Sequence, residues 1–215
     1  MAIRFAIYLA ISLVVGMSGR EYARAFMATR LNDPTPRLWG RLTLNPKAWF
    51  EPFGSGVVPG LILLLWAAAS AFLPPPVAYA KPAPIDPNYF HNRTRDTIVT
   101  ALAGPTANLI LAAIAGLVIR VGIGGELGSA LGAFLLANLS LLIFHLMPIP
   151  GLDGARMVAL ALPPRAAEVY RNADQYLPLF VLVVLFLFAG PMIAIVRSLT
   201  DSLCSLLAGL TCYGV

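Results

Sequence analysis

Apolar runs close to the length of a bilayer crossing recur along this chain, and they restrict its fold more than any other feature. Residues 3–19 and the stretches at 54–73, 97–121, 128–147 and 178–197 each approach the ~20 residues that a helix needs to cross a hydrocarbon core, and charge, glycine or proline bounds each one. Only 12% of the 215 residues are Asp, Glu, Lys or Arg, about half the share of a soluble domain and too few to coat a globule of this size. The pattern predicts an all-α polytopic membrane protein forming a single membrane domain over 1–215. Eighteen prolines and eighteen glycines suit such a chain, because packed neighbours re-satisfy the backbone groups that these residues free. The net charge of +5 comes from cations spread along the chain, which fits loops lying against anionic lipid and excludes a nucleic-acid-binding surface.

About five transmembrane helices are expected. The first begins in the 3–19 run and continues through R-E-Y-A-R-A-F-M-A-T-R to Arg30; no A-x-A site follows the apolar run, so it reads as a retained helix and not a signal peptide. Residues 31–53 hold prolines that forbid helix, and the alternation in R-L-W-G-R-L-T-L predicts a small β-hairpin after the first helix. Trp39 and Trp49 in this stretch suit a headgroup-level belt. After the second span, residues 78–96 are proline-punctuated and polar, so they must lie in water or be lined by protein. Asn108 lies in the third span and Asn138 in the fourth, which His145 closes. P-I-P-G-L-D-G-A-R then turns into a short helix through Leu162, and the last transmembrane helix covers about 178–197. Cys204 and Cys212 form no disulfide framework and lack metal-knuckle spacing, so they read as small apolar residues of a terminal helix.

Polar groups within spans are costly enough that each one is a functional hypothesis. Arg20 and Arg24 are four residues apart and share a helix face, and Glu21 is placed to pair with Arg24. Asp153 sits in an L-D-G turn after two prolines, a setting that fixes its carboxylate. On the residues alone, the arginines either snorkel to an interface or form an internal cluster.

With these motifs in order, the chain resembles the site-2 protease family of intramembrane zinc metalloproteases. G-R-E-Y-A-R-A aligns with the family's H-E-x-x-H-A segment, and H-L-M-P-I-P-G-L-D-G-A-R with its N-x-x-P-x-P-x-L-D-G-x-R element. R-L-W-G-R-L-T-L-N-P, A-K-P-A-P-I-D-P-N-Y-F and A-L-A-G-P-T-A-N look like its connecting hairpin, extended loop and G-P-x-x-N helix. The resemblance covers about residues 15–162 and implies a three-helix core, with flanking helices, around a site at membrane depth. It also implies that Asn108 hydrogen-bonds backbone across helices, holding the core.

The departures matter equally. In the family two histidines and the L-D-G aspartate bind zinc, and the glutamate activates water. Here Glu21 and Asp153 remain, Arg20 and Arg24 replace the histidines, and His145 stands at the usual Asn, where it reads as a hydrogen-bonding residue at a helix end. Arginine stays protonated and offers donors only, so it cannot ligate Zn²⁺. The charges of two arginines and two carboxylates cancel, as do those of a zinc ion, two neutral histidines and two carboxylates. The expectation is a charge cluster of Arg20, Glu21, Arg24 and Asp153 that stands in for the metal. It implies a catalytically inactive homologue, a pseudoprotease, with vestigial Glu21 and Asp153 and no metal or other cofactor. Such a protein would be a structural or accessory subunit in a bacterial cytoplasmic membrane, bound to another transmembrane protein or a larger membrane complex. The absence of an appended sensor domain favours that role. One alternative is an active zinc metalloprotease with a metal site altered to Glu21, His145 and Asp153. Another is a small transporter or channel, which no inverted repeat supports.

Overall fold

The computed structural model describes residues 2–68, 73–187 and 189–213. Three long helices form its centre: α1 (Ala2–Arg30), α5 (Arg93–Arg120) and α6 (Gly125–His145), each long and apolar enough to cross a membrane. They pack against one another, burying Leu9 and Leu13 of α1, Ala112 and Ala115 of α5, and Leu135, Leu136 and Leu139 of α6. Small residues let the backbones approach closely, as membrane helices require. A Cβ added to Gly16 of α1 would meet Leu141 at 2.9 Å and Asn138 at 3.0 Å on α6. The outward faces carry Ile3, Ile7 and Ile11 of α1 and Ile110, Ile114 and Leu117 of α5, all exposed, as lipid-facing positions should be.

Between α1 and α5 lie α2 (Thr35–Leu38), α3 (Pro46–Trp49), a π-turn at Pro52–Val57 and α4 (Val58–Ala67). The expected β-hairpin does not form, and the described residues contain no strand. Pro34 opens α2, Gly40 ends it with φ +63°, and Pro46 starts α3 beneath the Asn45 side chain, which accepts from the Lys47 N–H at 3.1 Å. The alternating residues are thereby split between helical turns and an extended link. The Thr43 carbonyl of that link accepts from the Trp49 indole at 2.9 Å. Trp49 is consequently buried at 2% exposure, in contrast to Trp39 at 70%, so only Trp39 is placed for a headgroup belt.

Among the described residues, the number of spans is also lower than five. The apolar helical stretch Pro52–Ala67 is 16 residues at most, short of the ~20 needed to cross, and residues 69–72 of the expected second span lie outside the described residues. The expected last span falls on α9 (Leu177–Leu187, 11 residues) and the first half of α10 (Ala189–Ala208). The first is too short, the second carries Arg197 and Asp201, and residue 188 between them lies outside the described residues. Among the described residues, three helices meet the requirement. Cys204 and Cys212 are joined in a disulfide with Cα atoms 5.9 Å apart, where the sequence reading gave them only an apolar role.

The segment from Val77 to Ile85 runs extended through the interior, lined by protein. Val77, Ala78, Tyr79, Ala80 and Ala83 are buried, and neighbours satisfy the backbone: the Tyr79 N–H donates to Gly54 (3.1 Å), the Lys81 N–H to Trp49 (2.9 Å), and the Ser55 hydroxyl to the Tyr79 carbonyl (3.0 Å). Asn92 then caps α5, accepting from the Arg95 N–H at 3.0 Å while its own N–H donates to Asp96 at 3.0 Å, a reciprocal arrangement of the capping-box kind.

Candidate functional site

Arg20, Glu21 and Arg24 lie about two-thirds of the way along α1, on the stripe that faces α5. The second wall is α7 (Asp153–Ala161), which Asp153 opens. Gly151 takes φ +91°, a left-handed conformation that suits glycine, and turns the chain from the end of α6 into α7. A Cβ on Gly154 would lie 2.2 Å from the Leu146 carbonyl oxygen, so the L-D-G glycine lets this helix start seat against the end of α6. Opposite, a Cβ on Gly104 of α5 would lie 2.9 Å from Arg20 Cγ and 3.0 Å from Arg24 Cδ. Glycine in A-G-P-T-A-N thus makes room for two arginine stems inside a helix bundle.

Arg20, Glu21, Arg24 and Asp153 come together as one buried set, each no more than 3% exposed. Arg20 donates to both carboxylates, Nη1 to Glu21 and Nη2 to Asp153. Arg24 Nη1 donates to Glu21 Oε2 at 3.0 Å, and its Nε lies 3.2 Å from Asp153 Oδ1. Glu21 Oε2 also accepts the Ala83 N–H of the extended segment at 2.9 Å. Arg24 Nη1 reaches Oε1 as well, at 3.4 Å, so N–H groups crowd both oxygens of Glu21. Asp153 lies beyond the last of the three spans; burial works against its charge, and the guanidinium groups of Arg20 and Arg24 outweigh it and hold its carboxyl below the ordinary value.

His145 is buried at the end of α6, where Nε2 lies 3.1 Å from the Ala78 carbonyl oxygen and so carries the proton of that hydrogen bond. Its ring packs edge-on against Phe144. Asn138 donates to the Phe134 carbonyl of its own helix at 2.9 Å. Asn108 is fully buried, and neither amide atom finds a partner among the described residues, in contrast to the backbone bond expected across helices. Two participants fall within the matched segments but were assigned no role in the site. Ala83 contributes through its backbone alone, and it is the only N–H donor of Pro82-Ala83-Pro84. Arg156, one turn into α7, stands close enough to feel the charges of Arg24 and Asp153; its position three residues after Asp153 was the available signal.

These residues do not fit zinc. The positions that would offer imidazole nitrogens hold guanidinium groups, which have no lone pair to give. The carboxylates are already engaged by cations, and among the described residues no three His, Cys, Asp or Glu side chains are gathered as a metal-holding group, the set Glu21, His145 and Asp153 included.

Comparison with known proteins returns relatives of one kind. The chain is 32% identical over 195 residues to a Bacillus subtilis protein named "Putative zinc metalloprotease YwhC", covering 86% of this chain and 81% of that one. It is 32% identical over 181 residues to Rip2 of Mycobacterium tuberculosis, with 83% of this chain and 65% of the relative covered, and 31% identical over 176 residues to Rip2 of Mycolicibacterium smegmatis, with 77% and 61% covered; both carry the same zinc-metalloprotease description. No family model matches the chain. No solved structure matches it significantly.

Proposed function

This chain belongs to the site-2 protease family, and from that membership we propose that it is a member without proteolytic activity, whose metal has been exchanged for an ion-pair cluster and whose role is to bind other membrane proteins. Glu21 is the observation that carries this reading. A general base needs a lone pair directed at water, and a carboxylate has about four such sites. Arg20, Arg24 and the Ala83 N–H engage both oxygens of Glu21, so its lone pairs are directed at protein donors and away from a water. The second support is electrostatic: a divalent cation entering the cluster would meet two guanidinium groups and gain at most one carboxylate ligand from the family set, Asp153.

The extended segment bears on the mode of binding. Residues 77–85 run beside Glu21 and His145 and take up the backbone and side-chain hydrogen bonds that a guest peptide would use there. A partner therefore meets the outer helix faces, as an accessory subunit in the cytoplasmic membrane of a bacterium would present them, and lipid covers what the partner does not.

The test uses the full chain purified in a non-ionic detergent. Metal analysis is expected to find zinc far below one equivalent, and gentle extraction from native membranes is expected to recover the chain in a stable assembly with a second membrane protein. One equivalent of zinc lost on Asp153→Ala would overturn the inactive reading in favour of the altered-metal-site protease. A lone monomer after gentle extraction would overturn the accessory role.

A further inference from the structure

Far from the charge cluster, a partly open cavity of about 870 Å³ lies between the starts of α1 and α6, the end of α4 and the C-terminal turn. That volume suits a small organic ligand. Three of its lining rings make one wall: Phe5 and Trp66 have centroids 5.4 Å apart, and Trp66 and Tyr213 6.1 Å. Backbone contacts fix the wall in place. The Trp66 indole donates to the Pro74 carbonyl at 2.9 Å, and the Tyr213 N–H donates to Asp201 at 3.1 Å. Leu73 extends the same apolar surface.

Among the described lining residues the only charged side chains are Arg4 and Glu126, both exposed. Glu126 gives one oxygen to Arg4 Nη1 and the other to the Tyr8 hydroxyl, each at 2.5 Å. The carboxylate is thereby engaged on both sides, and it anchors the guanidinium at the rim. Arg4 spends only Nη1 on this bond, so Nη2 and Nε remain as donors. The depth of the rim in the bilayer follows from length. At 29 residues α1 exceeds the ~20 needed to cross, so its first turn, which carries Arg4, reaches the headgroup layer. Trp66, Tyr8 and Tyr213 are of the types favoured at that level.

These features select among ligands. An aromatic wall attracts cations, but Arg4 stands at the rim, both oxygens of Glu126 are engaged, and Arg197 already lies over the Tyr213 ring at 4.4 Å. An anionic head with an apolar tail meets no such obstacle. A guanidinium edge binds phosphate oxygens through paired N–H groups, and the rings with Leu73 receive the tail. At headgroup depth the amphiphile of that description is a phospholipid. We propose that this cavity binds one phospholipid, its phosphodiester on Arg4 and the start of an acyl chain against Phe5, Trp66, Leu73 and Tyr213. The rest of the lipid stays in the leaflet. The site is separate from the charge cluster and stands whether or not the chain is an accessory subunit.

The test is native mass spectrometry of the full chain, delipidated in non-ionic detergent and titrated with dioleoylphosphatidylglycerol, whose head carries no ammonium for Glu126 or the rings to attract. A saturable adduct of one lipid per chain is expected. Dioleoylglycerol, which has the same tails and no phosphate, is expected to bind at least tenfold more weakly. Arg4→Gln is expected to weaken the phospholipid adduct about tenfold, the effect of one hydrogen bond to a charged group. Ser129→Trp places a large ring in the cavity and leaves Arg4 in position, and it is expected to abolish the adduct. Absence of an adduct, or equal binding of dioleoylglycerol, would overturn the proposal. So would an adduct unchanged in Arg4→Gln, which alters an exposed side chain and decides the matter even if Ser129→Trp fails to fold. An adduct unchanged in a folded Ser129→Trp chain would put the lipid elsewhere on the bundle and overturn it equally.

Discussion

Arg20 bridges two helices with a single guanidinium group: one nitrogen holds Glu21 on its own helix and the other holds Asp153 across the bundle. Removing it strands a buried carboxylate, so Arg20→Ala is expected to destabilise the chain by about 3–5 kcal/mol, the usual cost of breaking a buried pair. Arg20→Ala with Asp153→Ala removes both partners and is expected to cost well under the sum of the single changes; equilibrium unfolding in detergent measures the cycle, and simple additivity would mean the two residues do not interact. A second expectation follows from ligand chemistry. Arg20→His with Arg24→His restores two imidazoles beside Asp153, the three protein ligands of an open zinc site. Metal analysis is expected to find zinc near one equivalent in this double variant and far less in the parent chain. The four charged residues were legible in the sequence because each falls in a motif that fixes its place. The parts played by Ala83 and Arg156 were not, although both fall in matched segments: a backbone N–H has no residue-type signature, and an arginine on a short amphipathic helix reads equally as a solvated one.

At the scale of elements, the two glycines at the cluster act through different neighbours, and this orders the cost of substituting them. A Cβ on Gly104 meets flexible arginine methylenes at 2.9 and 3.0 Å, whereas on Gly154 it meets the Leu146 and Met147 carbonyl oxygens at 2.2 and 2.5 Å. Side-chain stems can shift by a few tenths of an ångström and a helix-terminal backbone cannot do so without moving α7. Gly104→Ala is therefore expected to cost ~1–3 kcal/mol, the range for overpacking a core, and Gly154→Ala more; thermal unfolding of the two variants side by side checks the order. The long helices were readable in the sequence because α1, α5 and α6 carry uninterrupted apolar runs. The stretch 31–53 was misread because period-two alternation in R-L-W-G-R-L-T-L describes side-chain polarity and not backbone pairing. Proline at 34 and 46 with left-handed Gly40 committed the flanks to helical turns, which left the link no partner strand. The stretch from the π-turn through α4, Pro52–Ala67, is helical for only 16 residues, short of a span.

For the molecule as a whole, the disulfide distinguishes the two ends of the bundle. A cavity of about 870 Å³ brings Arg4, Tyr8, Trp66, Glu126 and Cys212 together at one end, where Arg4 and Tyr8 both bind the Glu126 carboxylate. Arg120 closes α5 at this end by donating to the carbonyls of Leu206 and Leu207. Arg30 lies at the other end of α1, which spans about 42 Å at 1.5 Å per residue. Disulfides form and persist on the oxidising side of a membrane, so the end that holds Cys204 and Cys212 is expected to face outward and the Arg30 end the cytoplasm. Val121 and Arg37 are exposed at the outer and inner ends respectively, and the native cysteines, being paired, leave single reporters readable. In right-side-out vesicles, Val121→Cys is expected to react with a membrane-impermeant maleimide, and Arg37→Cys only after permeabilisation. The opposite pattern would place the disulfide in a reducing compartment and reverse the orientation. The predicted orientation sets the cluster nearer the cytoplasmic surface, since Arg20 and Arg24 lie within about 15 Å of Arg30 along α1.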